Sequence, residues 1–411
     1  MTSVSAMKLP RHNFSDDVRS ISPCRSGSSS TSMNGRENSE PIPHDLIYEI
    51  LLRLPAISIA RFRCVSKLWA STLRSHAFTE LFLTRSSTRQ QFLFACQNDD
   101  EMFFFTAPQN PDKNSSLVDP YYHMKIPCID DTSKICGHVR GLVCLTHLRT
   151  VKGRKHTVPE ICNPSTGQSI FLPKVKTNKV NVRSFFVYDP IGKQFKVLSM
   201  TWPCYGNDWL CKEYQVLTLG TKKQSWRMIQ CSVPHHPISG GICINGCLYY
   251  HSKVASIEQY TIVCFDVTSE KFTSIRKATG NVLWIELNLV NYNGKLATLT
   301  SDGHWQVSGE SRCIELWVLV DAEKHEWSKH VYQLPTLWKD VVANDFLFFI
   351  GISGTDEILI LAHSLSGINS VLYYDFVRGT IRKVEIEGID AFRHCNTFIH
   401  HVENVKLFAN V

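Results

Sequence analysis

Apolar positions along the chain follow two different periods. Between residues 41 and 78, in PIPHDLIYEILLRLPAISIARFRCVSKLWASTLRSHAF, Leu46, Ile47, Ile50, Leu51 and Leu54 recur three or four apart. That spacing predicts an amphipathic helix. Pro55 ends it, because the residue before a proline disfavours helical backbone. Ser58 and Ser66 stand where they would cap a second and a third helix. A short helical connector follows over Thr79–Thr84, and then a hinge over residues 85–91. From Phe92 to about residue 407 the pattern changes to short alternating runs broken by turn residues, which predicts an all-β domain. Residues 1–40, with SGSSSTSMNG at their centre, hold few large apolar side chains and read as a disordered Ser-rich tail.

The β region repeats itself. An apolar strand, an Asn, Asp or Gly, a polar turn and an aromatic or aliphatic residue recur. The anchors pair Asn163 with Ile170, Asp189 with Phe195, Gly220 with Trp226, Asp266 with Phe272, Asp321 with Trp327, and Asp375 with Ile381. Each predicts a β-hairpin. Gly141, Gly246 and Gly294 lead further short strands, read as the inner strands of each unit. The anchors at 220, 266, 321 and 375 lie 46, 55 and 54 residues apart, the length of a four-stranded propeller blade. The expectation is a propeller-like domain of about six blades. The strand near residues 92–106 would pair with the segment 396–407 to close the ring.

Charge and composition narrow the function. The 411 residues carry a net charge of +7, with 44 Lys and Arg scattered among 37 Asp and Glu. No basic run with interleaved aromatics points to nucleic acid. No apolar stretch is long enough to span a membrane, and residues 1–20 hold no apolar leader core. The 15 cysteines include no Cys-x-x-Cys pair, and several sit singly inside apolar strands, as in LVCL, GICI, IVCF and RCIEL. Free, buried thiols of this kind imply a reducing nucleus or cytoplasm.

Candidate chemistry is sparse. No Gly-rich phosphate loop opens a helix, and no cofactor is expected. His235–His236 and His400–His401 are adjacent, so on a strand they face opposite ways and make poor metal ligands; exposed positions are expected, and no metal site. Ala362–Gly367 lacks the second glycine of a nucleophile elbow. Asp130 and Asp131 read as solvated loop carboxylates. Asp189, Asp266, Asp321 and Asp375 recur at one repeat position, which assigns them to turn formation. No catalytic set appears. Trp226 and Trp327 occupy the repeat's aromatic position and belong to the core. Trp202, Trp209 and Trp305 are placed in loops beside polar residues, where they could equally contact a target.

The helical stretch is about the size at which a domain cannot bury a sufficient core alone, and its single cysteine, Cys64, allows no internal disulfide. It reads as a docking module. Ile42, Pro43, Asp45, Leu46, Glu49, Ile50, Leu51, Arg53, Leu54 and Pro55, then Ser58, Arg61, Phe62, Arg63, Cys64, Val65, Ser66, Lys67 and Trp69, fill the spacing of the plant F-box, which this segment closely resembles. Ile57 stands where the family often has Lys, and Ile59 where it often has Leu. The β region is similar to the plant F-box-associated, kelch-like domain, although paired glycines occur only at Gly240–Gly241. The resemblance implies an α+β multidomain chain: a three-helix F-box over 41–84 and a β-propeller-like domain over 92–407. It further implies a non-catalytic subunit of an SCF-type ubiquitin ligase. The F-box would dock on a Skp-type adaptor and through it on cullin, and the β-domain would hold a target protein. The residues assigned to the adaptor are Pro43, Leu46, Ile50, Leu54, Pro55, Ile59, Cys64, Val65 and Trp69, with Arg53, Arg61, Arg63 and Lys67 giving a positive bias. Trp202, Trp209 and Trp305 are assigned to the target. An adaptor-bound scaffold outside a ligase, and a propeller binding a small molecule or glycan, remain open alternatives.

Overall fold

The computed structural model describes residues 44–408 except 113–114, 129–132, 180, 204–209, 222–223, 255–259, 277–287, 305, 343–344, 365–366, 390–391 and 393. The expected tail over residues 1–40 and the Asp130–Asp131 pair lie outside the described residues. The chain forms two compact units, Met1–Ile47 and Tyr48–Val411.

Four helices come first: α1 (His44–Arg53), α2 (Ala56–Phe62), α3 (Lys67–Arg74) and α4 (His76–Ser86). Pro55 does end α1, but it also serves as the N-cap position of α2, so Ser58 lies inside that helix and caps nothing. Ser66 caps α3 as expected, accepting a hydrogen bond from Trp69 N. Ser75 does the same for α4. The expected connector is therefore a full helix, and Arg85 and Ser86 finish it instead of opening a hinge. Leu51, Leu52, Ala56, Ile59, Leu73, Phe78 and Phe82 are buried, so α4 supplies part of the core that α1–α3 lack. None of the helices among the described residues is long and apolar enough to cross a membrane.

The rest is a six-bladed β-propeller. The first blade contains β1 (Gln91–Asn98), β2 (Glu101–Pro108) and β4 (Tyr121–Pro127), and between the last two lies β3 (Leu117–Val118). The second runs β5 (Lys134–Val139), β6 (Leu142–Val151), β7 (Arg154–Asn163) and β8 (Gln168–Phe171). The third runs β9 (Asn181–Asp189), β10 (Gln194–Trp202), β11 (Glu213–Thr218) and β12 (Arg227–Met228). The fourth has β13 (His235–Ile244), β14 (Cys247–Val254), β15 (Tyr260–Asp266) and β16 (Lys271–Ile275). The fifth has β17 (Asn288–Tyr292), β18 (Lys295–Ser301), β19 (Cys313–Asp321) and β20 (Glu326–Gln333), followed by the short helix α5 (Trp338–Val342). The sixth has β21 (Phe346–Ile352), β22 (Glu357–Ser364), β23 (Gly367–Asp375) and β24 (Thr380–Ile386), and β25 (His394–His401) returns to the first blade.

Two pairings close the ring. β25 lies antiparallel to β1, joining Phe94 to Thr397 and Cys96 to Cys395. β3 leaves the first blade to lie parallel to β24, with Leu117 opposite Glu385. The first is the closure expected from the sequence. Cys96 and Cys395 also form a disulfide, which corrects the expectation of uniformly free thiols. The cysteines of LVCL, GICI, IVCF and RCIEL, namely Cys144, Cys243, Cys264 and Cys313, are free.

All six anticipated hairpins form, but they do not mark one blade each. β9–β10 and β11–β12 share the third blade, and the first blade contains none of them. The glycines also take a different place. Arg140–Gly141, Asn245–Gly246 and Asn293–Gly294 all have positive φ and form two-residue turns leading into the second strand of a blade, not the innermost. Paired positive φ is the turn that matches strand twist. The recurring aspartates do make turns: Asp189 accepts from Ile191 N and Gly192 N, Asp321 from Glu323 N and Lys324 N, and Asp375 from Val377 N and Arg378 N. Trp226 is buried and donates to Pro173 O at 2.8 Å; Trp327 is half-buried and donates to Arg276 O at 2.9 Å.

After β25 the chain runs as an irregular strap, residues 402–408, that joins helices to blades. Glu403 Oε1 accepts from Ala56 N at 2.9 Å, Glu403 N donates to Ser86 Oγ at 2.8 Å, and Arg63 Nη2 donates to Val405 O at 2.6 Å. On the blade side, Asn163 Nδ2 donates to Asn404 O and Lys406 O while its Oδ1 accepts from Ser165 N. Asn163→Ala would leave these buried groups without partners. We expect a loss of about 2–3 kcal/mol in urea unfolding; a change below about 0.5 kcal/mol would show that the strap is held without this side chain.

Candidate functional site

Large apolar side chains are unusually exposed on the helices. Leu46 (55%), Ile50 (53%), Ile57 (44%), Val65 (66%) and Leu68 (68%) all face solvent, with Leu81 on α4. These six are a third of the 18 exposed large hydrophobics among the described residues, within a span of 36 positions. They are the large apolar side chains that the helices leave uncovered. Of the residues assigned to the adaptor, Leu46, Ile50, Pro55, Cys64 and Val65 are exposed, and Leu54 and Trp69 are half-buried. Trp69 stacks on Phe62 with ring centroids 5.3 Å apart. Ile59 is fully buried and belongs to the core. Pro43 lies outside the described residues. Ile57 and Leu68 were missed; they are the apolar residues left over once the core stripe is subtracted from α2 and α3.

The positive bias is also revised. Arg61 and Lys67 are exposed, and Arg53 pairs at 3.8 Å with Glu49 one turn earlier. Arg63 is buried, its guanidinium turned inward onto Leu73 O and Val405 O. It holds the strap and is no part of a charged face.

On the propeller, Trp202 closes β10 instead of sitting in a loop. It is half-buried and meets His236 edge-on at 4.6 Å. Trp209 and Trp305 lie outside the described residues. A different set of groups gathers near the inner strands. Gly240, Gly241, Asn288, Leu289, Phe349 and Ile350, from β13, β17 and β21, line a cavity of about 280 Å³. A Cβ at Gly240 would meet nothing within 4 Å, whereas one at Gly241 would run into Leu248 and Phe185. Phe346 and Phe348 on β21 are exposed. The run of apolar residues in FLFFIGI hid which of them face out.

Buried polar groups on the propeller pair with one another. Ser133 Oγ and His147 Nδ1 are 2.9 Å apart, and His147 Nε2 lies 2.8 Å from Glu160 Oε2. All three are buried within the second blade. Ala362–Gly367 spans the turn of the β22–β23 hairpin, with residues 365–366 outside the described residues. The histidine pairs are not exposed as expected. His235 is fully buried and joins Tyr250 OH through Nε2 at 2.6 Å, and His401 is fully buried with its Nδ1 2.9 Å from His138 Nε2. Among the described residues no group of three His, Cys, Asp or Glu is arranged to hold a metal.

Burial lowers the pKa of His138 and His235 to about 4, and that of His401 well below the usual histidine value, again chiefly by burial. Each therefore stays neutral in the fold, while the unfolded chain takes up protons below about pH 6.5. Stability is complete above that pH and falls as the pH drops from about 6.5 toward 4. A melting-temperature profile should show this slope, and His235→Phe should make it shallower by removing one of the contributing histidines. A flat profile for the unaltered chain over that window would contradict the assignment.

Two family models match the chain. The F-box domain covers residues 41–81, and the F-box associated beta propeller domain covers residues 91–410. The chain belongs to the F-box-associated β-propeller family. The Arabidopsis thaliana F-box protein DOR is 50% identical over 379 residues, 90% of this chain and 95% of that one. The A. thaliana F-box protein At5g65850 is 45% identical over 410 residues, 98% of this chain and 100% of its own. Among solved structures, an α-L-arabinofuranosidase of Fusarium graminearum aligns with 70% of this chain and 85% of its own, at 10% identity and a TM-score of 0.40. A likeness at that level carries no information on activity.

Proposed function

We propose that this F-box protein is the target-receptor subunit of an SCF-type ubiquitin ligase. The observation that carries the reading is the joining, in one chain, of an F-box with exposed apolar side chains to an F-box-associated propeller. Ile50, Val65 and Cys64, with Leu54, Pro55 and Trp69 beside them in sequence and Leu46 on α1, would meet a Skp-type adaptor in the helix-in-groove manner. Ile57 and Leu68 extend that set. The propeller would hold a target protein, with Trp202 and the exposed Phe346 and Phe348 as candidate contacts. The chain then performs no covalent chemistry itself and takes no cofactor. It acts by raising the local concentration of target lysines near the ubiquitin-carrying enzyme. The expected compartment is nucleus or cytoplasm.

Affinity purification of the tagged full chain under proteasome inhibition tests this. Adaptor, cullin and a ubiquitin-modified protein should be recovered together. Adaptor without cullin would replace the ligase role with that of an adaptor-bound scaffold.

A further inference from the structure

A cavity of about 320 Å³ lies between the helices and the strap, lined by Arg63, Arg74, His76, Thr79, Lys406 and Leu407. Three of these six carry a fixed positive charge, His76 adds an imidazole, and none is acidic. Among the described residues no carboxylate pairs with Arg63, Arg74 or Lys406. The nearby Glu80 is engaged by Arg140 at 3.0 Å, and Glu403 accepts from Ala56 N. Arg63 is 9% exposed, and its Nε is buried with no hydrogen-bond partner, although Nη2 is satisfied twice. A buried guanidinium without a counter-charge is costly, because desolvation is not offset by any ion pair. Its neighbours worsen the position: burial first, and then the charge of Arg74, lower the Arg63 pKa.

We propose that this cavity binds a small polyanion carrying more than one phosphate group. Three cations without a carboxylate among the lining residues ask for an acceptor with several anionic oxygens, and arginine forks match phosphate well. Cavities that hold small molecules begin at about 300 Å³, so a single phosphate would leave most of this one empty. Arg63 contributes from the end of α2, Arg74 and His76 from α3 and α4, and Lys406 from the strap. A bound polyanion would therefore clamp the helices to the segment that joins them to the blades. The proposal is independent of which target the propeller holds.

The test uses the purified full chain and tripolyphosphate, with orthophosphate and with sodium chloride at matched ionic strength as comparisons. Calorimetric titration should show saturable binding of tripolyphosphate, tighter than that of orthophosphate, and the melting temperature should rise with its concentration. Arg74→Ala with Lys406→Ala should weaken tripolyphosphate binding at least about a hundredfold, since each charge-assisted contact is worth about tenfold or more. Both side chains are partly or fully exposed, so the ligand-free variant should melt as the parent does. Arg154→Ala with Lys155→Ala removes two exposed charges elsewhere and should leave binding intact. Absence of saturable binding would overturn the proposal. So would an equal response to sodium chloride, or equal losses in the two double variants.

Discussion

A chain in which Ile50 and Val65 are both replaced by aspartate is expected to lose binding to a Skp-type adaptor while remaining folded. Both side chains are more than half exposed, so neither contributes much to the core. Surface substitutions of this kind usually change stability by less than about 0.5 kcal/mol. At an interface the same positions behave differently. Truncating an apolar anchor typically costs about 2 kcal/mol, and a buried unpaired carboxylate costs more. Two such changes should weaken the complex at least about a hundredfold. Ile59→Asp is the informative contrast, because Ile59 is fully buried. It should lower the melting temperature as well as binding. Adaptor pull-down beside a melting curve separates the two, and undiminished binding by the Ile50/Val65 variant would move the interface elsewhere.

Gly141→Val should be among the most damaging substitutions in the propeller. Gly141 has φ +79°, a backbone state that costs a side-chain-bearing residue about 1–2 kcal/mol. A Cβ there would also lie 2.3 Å from Val402 O and 2.9 Å from Asn404 Cβ, so the strap would have to move. The strap cannot move freely, since Asn404 Nδ2 donates to Arg140 O and Arg63 and Ala56 hold its other side. We expect a loss of about 3 kcal/mol or more in chemical denaturation, together with protease sensitivity in α1–α4. Gly153 gives the control: φ is +73°, but a Cβ would meet nothing within 4 Å. Gly153→Val should cost only the conformational part. Equal losses at the two positions would show that the strap contact carries no weight.

Local features of the fold could be read from the sequence, and long-range ones could not. Leu51 and Ile50 are adjacent in an apolar stripe, yet one is 2% and the other 53% exposed. The covering comes from outside the stripe: Tyr48 on the same helix meets Phe78 of α4 edge-on at 5.7 Å. Arg63 shows the same limit: its neighbours in sequence suggest a charged face, and its partner Val405 O turns it inward. In the propeller the aspartate turns and hairpins were legible because their chemistry is contained in a few residues. Blade membership was not, because β3 crosses to β24 and β25 returns to β1. The Cys96–Cys395 disulfide follows from that return and has no local signal. The Gly and Asp that follow Trp202 within six residues suggest a loop, but strand β10 extends to include it and packs it on His236.

The central claim is that the helical segment is an adaptor-binding F-box carried by a folded propeller. Calorimetric titration of a purified Skp-type adaptor into the purified full chain tests it most directly. The account predicts a saturable complex of about one adaptor per chain, lost in the Ile50→Asp/Val65→Asp variant. A folded chain that binds no adaptor, or that binds equally well with both substitutions in place, would contradict it.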